Sequence, residues 1–226
     1  MHDELEKHEQ EKYNCLVTNC DYGRDYTRES QISRISQYLE KVSETYIKIL
    51  SELKEKDTFK VLDVGCGPGG VMEWLRKEYG ANVYGIDISE EFIKMVQLNF
   101  PLLKNLHVGN AKNMKMFGDN SFDLVQHLDG MEHIPTEWEH DCLKEAVRVS
   151  KKYVFYENAC QDSEADKWAK ESGFTASHIN IKNGNEWLKF YTDNSSKYNY
   201  EILVSATVNT CYNDHHFTII LQKNET

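Results

Sequence analysis

The chain has 226 residues, enough for one domain with a substantial core. Its 37 acidic and 26 basic residues leave a formal net charge of −11, which argues against a phosphate-backbone partner. No Lys/Arg-rich run suggests an anionic membrane surface, and no apolar run approaches the roughly 20 residues that a bilayer span needs.

The opening Met-His-Asp-Glu-Leu-Glu-Lys-His-Glu-Gln has neither the apolar core of a signal peptide nor the arginines of a transit peptide, so a cytoplasmic protein is expected. Residues 1–27 are polar, with tyrosines at 13, 22 and 26. Cys15 and Cys20 lack a second Cys or His pair to complete a metal site, and the other cysteines are scattered, so free thiols are expected. Ile32, Ile35, Leu39, Val42, Tyr46, Ile49 and Leu53 step by three and four, the face of a helix packed on the domain.

After a polar break at 54–58, Lys60 to Val64 reads as a strand carrying one carboxylate, Asp63. It breaks into Gly65, Gly67, Gly69 and Gly70, and a helical pattern follows to about Tyr79, where Gly80 stops it. Strand, glycine turn and helix open a doubly wound α/β domain, whose turn lets backbone amides approach a ligand. Val83 to Ile88 is a second strand, and Ser89 caps the next helix. Leu106 to Val108 is a short third strand and Phe122 to Leu128 a fourth. Thr136 and Glu139 are spaced as a capping box for the helix carrying Leu143 and Val147. Tyr153 to Tyr156 is a fifth strand, and a helix over about 163–172 ends at Gly173. Three β-like stretches follow (176–181, 201–209 and 215–222), separated by a polar segment holding Trp187, Phe190 and Tyr191. Regular alternation predicts a mainly parallel sheet, and the tail predicts antiparallel strands at its edge.

The glycines fit three nucleotide-binding turns. A P-loop needs Gly-Lys-Ser/Thr where this turn ends Gly-Gly-Val, which removes that reading. A dinucleotide oxidoreductase fits the glycines and Asp87, roughly 20 residues on, and leaves Asp63 unexplained. Val-Leu-Asp-Val-Gly-Cys-Gly-Pro-Gly (61–69) resembles the first motif of the class I S-adenosylmethionine-dependent methyltransferases. Val-Tyr-Gly-Ile-Asp-Ile-Ser (83–89), Gly-Asn-Ala (109–111, where the family usually has Gly-Asp-Ala) and residues 121–134 are similar to its later motifs, in order.

This resemblance implies a Rossmann-like, doubly wound, seven-stranded mainly parallel sheet, with antiparallel C-terminal strands and an N-terminal helical segment. Residues 1–56 would form a lid segment and helix. Residues 57–226 would form the cofactor-binding core, with an acceptor-site insertion about 175–200. The implied cofactor is S-adenosylmethionine. Gly65, Cys66 and Gly67 would admit its amino-acid end, and Asp63 would set the turn or receive the ammonium. Asp87 would accept from the ribose hydroxyls, Ile88 would lie on the adenine face, and Asn110 with Ala111 would meet the adenine edge. Methyl transfer needs alignment and desolvation first, and a general base only for a hydroxyl or protonated amine. His127, Asp129 and His133, at or after the fourth strand's end, are the candidates for that work, and His127 also for the cofactor's methionine part. Tyr22 and Tyr26 are expected in a lid, and Tyr156 and His215 near the acceptor. Asp214, His215 and His216 invite a metal reading. Adjacent strand residues face opposite ways, however, so one ion would not take both histidines, and no metal is expected. A small molecule, a sugar, amine or metabolite hydroxyl, is the expected acceptor. An NAD(P)-dependent oxidoreductase and a non-catalytic S-adenosylmethionine-binding protein are the alternatives.

Overall fold

The computed structural model describes residues 4–8, 10–11, 43–160, 178–209 and 215–225, without the side chains of 209 and 215. The expected helix over 163–172, the tyrosines at 22 and 26, and the first half of the long amphipathic pattern lie outside these residues. The second half of that pattern is helix α1 (Glu44–Lys54), which Ser43 caps by accepting from the Tyr46 amide at 3.2 Å.

Seven strands form one sheet: β1 (Lys60–Val64), β2 (Asn82–Asp87), β3 (Asn105–Val108), β4 (Phe122–Leu128), β5 (Ser150–Ala159), β6 (Tyr200–Asn209) and β7 (His215–Lys223). Their order is β3-β2-β1-β4-β5-β7-β6. The first five strands run parallel, β7 is antiparallel to β5, and β6 pairs antiparallel on its outer side. The order reverses between β1 and β4, the switch point where open α/β sheets bind ligands at their carboxyl edge. Because β7 runs the other way, its first residues reach this same edge, with His216 opposite Ala159 of β5.

Both sheet faces are covered, so the central strands are near-continuous apolar runs whose neighbours serve opposite cores. Val61 and Leu124 join Tyr46, Ile49, Leu50 and Leu53 of α1, Met72 and Leu75 of α2 (Gly70–Tyr79), and Ile93 and Val96 of α3 (Glu90–Asn99). Leu62 and Val125 join Leu143 and Val147 of α4 (Glu139–Val149), and Trp187 and Tyr191 of α5 (Gly184–Tyr198). The expected stop at Gly80 holds, with φ of 69°, as does the Ser89 cap, whose Oγ accepts from Phe92 N at 3.2 Å.

Three local expectations are corrected. Thr136 and Glu139 form no capping box: Thr136 opens a 3₁₀ turn (Thr136–Trp138), and α4 starts at Glu139 without a side-chain cap. The Glu139 carboxylate instead accepts from Lys182 Nζ at 2.6 Å and Asn180 Nδ2 at 3.1 Å, so long-range partners outcompete the local one. Residues 178–181 are not a strand, and the segment after them is helix α5. Its start is a capping box between Asn183 and Glu186, and Trp187, Phe190, Tyr191 and Asn194 bury one helical face. Finally, β5 runs for ten residues rather than four, because it has a ladder partner on each side.

Candidate active site

The first glycine turn leaves β1 toward β2. Gly65 N and Cys66 N both donate to Ile86 O, at 2.8 and 3.1 Å, which bends the chain over the end of the neighbouring strand. Gly67 follows at φ +49°, in the left-handed region, with open space where a Cβ would stand. Gly69 at φ +85° then starts α2 so close to α3 that a Cβ would come within 2.8 Å of Val96. The Cys66 side chain turns inward: it is buried, a Cβ on Gly85 would lie 3.0 Å from its sulfur, and burial pushes its thiol pKa well up. Cys66 therefore offers the site its backbone alone.

Two buried carboxylates flank the turn. Asp63 Oδ1 accepts from Gln126 Nε2 at 2.9 Å, and Gln126 Oε1 accepts from Tyr46 Oη at 2.5 Å. This chain of bonds ties α1, β4 and β1 together beneath the glycines. Burial raises the Asp63 carboxyl to about 7, against the Gln126 hydrogen bond and with a contribution from Asp87. Asp87 Oδ2 accepts from Gly67 N at 2.9 Å and Oδ1 from Ser89 N at 2.8 Å. Burial lifts Asp87 to about 6 even with these amides opposing it. Each of its oxygens retains a lone pair for a further donor. Ile88 beside it is half-buried.

Asn110 is buried behind β3 and Ala111 half-buried beside it. Asn110 Oδ1 accepts from Lys112 N at 3.1 Å, while its Nδ2 is buried without a partner. The side chain thus presents a donor.

At the end of β4, His127 is buried and wedged between two glycines. A Cβ on Gly65 would lie 3.3 Å from its Nε2, and one on Gly130 would overlap the ring. Burial, and then the nearby His133, depress its pKa to about 3, so the imidazole is neutral at physiological pH and a poor base. It shapes the turn; the basicity expected of it is absent. Asp129 is an exposed rim residue at φ +47°, with its amide bonded to the Glu157 carbonyl at 3.0 Å. His133, half-buried, pairs its ring with that of His178, with centroids 4.7 Å apart. Tyr156 is fully buried, its ring 5.0 Å from Tyr191, so it belongs to the core and not to a pocket wall. The backbone of His215 starts β7, and Tyr22 and Tyr26 lie outside the described residues.

Sequence reasoning did not gather the residues beside Asp129. Glu132 and Glu157 are fully buried, and His216 Nδ1 faces both Glu157 Oε1 and Asp129 Oδ1, the latter at 3.4 Å. The signal was a charge, Glu157, inside the apolar run of β5. Seeing that β7 would bring His216 to it required the strand order.

A parallel sheet with its switch point at a glycine turn, and acids at the ends of β1 and β2, defines a class I S-adenosylmethionine-dependent methyltransferase fold. Residues 62–154 match the family model described as a methyltransferase domain, and the fold is the one found in S-adenosylmethionine-dependent methyltransferases. Among similar proteins are phosphoethanolamine N-methyltransferase of Plasmodium falciparum, 28% identical over 57% of this chain and 52% of its own, and tocopherol O-methyltransferase of Arabidopsis thaliana, 31% identical over 54% and 34%. The chain spans about half the length, or less, of these curated relatives. Magnesium protoporphyrin IX methyltransferase from Synechocystis, solved with S-adenosylhomocysteine bound, shares the fold with a TM-score of 0.65 and 18% identity, covering 96% of this chain and all of that one. The [4+2]-cyclase SpnF shares it too, at a TM-score of 0.60 and 14% identity. No described helix is long and apolar enough to cross a membrane.

Proposed function

We propose that the protein binds S-adenosylmethionine at the 65–70 turn and transfers its methyl group to a hydroxyl or amine of a small-molecule acceptor. The observation that carries this reading is the pair of buried acids, Asp63 and Asp87, placed on either side of an open glycine turn. The cofactor brings an already activated methyl on a cationic sulfur. The residues fit it: Gly65 and Gly67 leave bare backbone for an amino-acid end, and Asp63 beneath them supplies a carboxylate for an ammonium. Asp87 has spare lone pairs for two ribose hydroxyls, and Ile88 offers an apolar surface for a flat ring. The unpartnered Nδ2 of Asn110 supplies a donor for a ring nitrogen of adenine, with Ala111 beside it.

In this reading, His127 keeps the turn and the β4 end in register and excludes water. Proton removal from the acceptor falls to the rim, where His133 and Asp129 are accessible. The relatives act on acceptors of both kinds, an amine in one and a hydroxyl in the other. The formal net charge of −11 favours a metabolite over a nucleic acid. Incubation with methyl-labelled S-adenosylmethionine and fractionated metabolites, beside calorimetric titration with S-adenosylhomocysteine, tests the proposal. Labelled product with micromolar binding is expected. Binding without label in any fraction would leave a cofactor-binding protein, or one with another chemistry on this fold, as in SpnF.

A further inference from the structure

We propose that Asp129, Glu157 and His216 form a divalent-cation site at the carboxyl edge of the sheet, suited to a metal such as Mn²⁺ that accepts carboxylate and imidazole ligands together. The three residues come from three neighbouring strands. Asp129 follows β4, Glu157 sits in β5 opposite Leu128 and Thr218, and His216 enters β7 opposite Ala159. One ligand atom from each lies within 4.8 Å of the other two. An ion about 2.0–2.3 Å from each of its ligands holds them roughly 3–4.6 Å apart; Asp129 Oδ1 and His216 Nδ1 are already in that range, and Glu157 Oε1, now in direct contact with His216 Nδ1, would part from it to admit the ion.

The ligands are held by the fold. Asp129 N donates to Glu157 Oε2 at 3.1 Å, which fixes the carboxylate with Oε1 toward His216 Nδ1. Glu157 is fully buried and the His216 side chain 10% exposed, whereas that of Asp129 is 59% exposed. Two fixed ligands and one open rim leave coordination positions for water or a further oxygen.

A second observation lies beside the triad. Glu132 is also fully buried; its Oε1 accepts from Ala159 N at 3.0 Å, while its Oε2 is buried with no hydrogen-bond partner. With His133 and His178, Glu132 makes another set of three ligand atoms within 4.8 Å of one another. Carboxylates from β5 and from the segment after β4 thus meet the His216 imidazole at this edge, the mixed oxygen and nitrogen donor set that a divalent ion takes. His215, its sequence neighbour, is not needed, which removes the objection to two adjacent strand residues sharing an ion.

Only the ion's use, to hold an acceptor oxygen beside the glycine turn, rests on the function proposed above. Its binding does not. The test uses the full chain, stripped with EDTA and titrated with Mn²⁺ by electron paramagnetic resonance, with Mg²⁺, Zn²⁺ and ethanolamine compared by thermal shift. One Mn²⁺ per chain is expected, with affinity at least 10-fold weaker in Asp129→Asn, whose exposed side chain makes misfolding a small risk, and in His216→Gln. No Mn²⁺ uptake, uptake unchanged in Asp129→Asn, or a thermal shift with ethanolamine but no metal would overturn the proposal. S-adenosylhomocysteine binding by the metal-free wild type reports separately on the cofactor reading.

Discussion

The His127 ring occupies the space that a side chain at Gly130 would need: a Cβ there would overlap Nε2 and Cδ2 and stand 2.8 Å from Cε1. Gly130 has a φ of −130°, so the glycine is required by the neighbouring ring and not by its own backbone angles. Gly130→Ala should therefore destabilise the protein by about 1–3 kcal/mol, the usual cost of overpacking. In a His127→Ala background the same change should be nearly neutral. Thermal unfolding of the four proteins in this cycle checks the coupling, and equal costs in both backgrounds would show that the ring is not the obstacle.

Asp63 gives the fold a dependence on pH. Its folded value of about 7 lies above the ordinary 3.8, so the folded state binds the proton more tightly than the unfolded chain. The resulting stabilisation is fully present below about 4 and is lost as pH rises through about 7; Asp87, raised to about 6, acts in the same direction. Across that window the cofactor-free protein should lose on the order of 4 kcal/mol from Asp63 and about 3 kcal/mol from Asp87, since each pH unit separating a folded from an unfolded pKa is worth roughly 1.4 kcal/mol. Asp63→Asn keeps an acceptor for Gln126 and should flatten the slope. A melting temperature that rose from pH 5 to pH 8 in the wild type would refute the assignment.

Most of the fold could be read from the sequence because its signals are local. The glycine stop at 80, the Ser89 cap and the limits of β1 and β4 each depend on residues next to one another in the chain. Helix α5 was hidden because Asn, Lys and Glu dominate its exposed face, although 187, 190, 191 and 194 carry the helical period. The site divides in the same way. Asp63, Asp87 and Asn110 lie at strand ends marked by motifs. Glu157 and His216, 59 residues apart in the chain, meet only because β7 inserts antiparallel beside β5. The direction of the Asn110 amide was likewise set by a backbone partner, Lys112 N, that a residue pattern does not specify.

Asp87 tests the cofactor assignment most directly. Its oxygens hold the Gly67 and Ser89 amides, so removing them loosens both the glycine turn and the start of α3. Asp87→Ala should weaken S-adenosylhomocysteine binding by roughly 1–3 kcal/mol, the cost of leaving hydrogen-bonding groups unpaired. Asp87→Asn should recover part of it. Calorimetric titration of both variants decides the matter, with unchanged affinity in the alanine variant placing the ribose elsewhere.

Arg148 near the end of α4 should control the segment that carries Asn110. Its guanidinium donates to the Glu145 carboxylate at 2.6 and 2.8 Å and to Asp119 at 2.7 Å, and caps the carbonyls of Phe117 and Met114 at 3.0 and 3.1 Å. Glu145 in turn accepts from Met114 N at 2.7 Å, and the Arg148 hydrogen bond holds its carboxyl below the usual range. The pair clamps the connection between β3 and β4 onto the helix. In Arg148→Met, two carbonyls and two carboxylates lose a donor, which should cost about 1–3 kcal/mol in all. Amide exchange should quicken over residues 111–121 while β1 and β4 stay protected. Because Asn110 sits at the start of this segment, S-adenosylhomocysteine affinity should fall with it. Faster exchange confined to the end of α4 would mean that the arginine supports its own helix and leaves the site untouched.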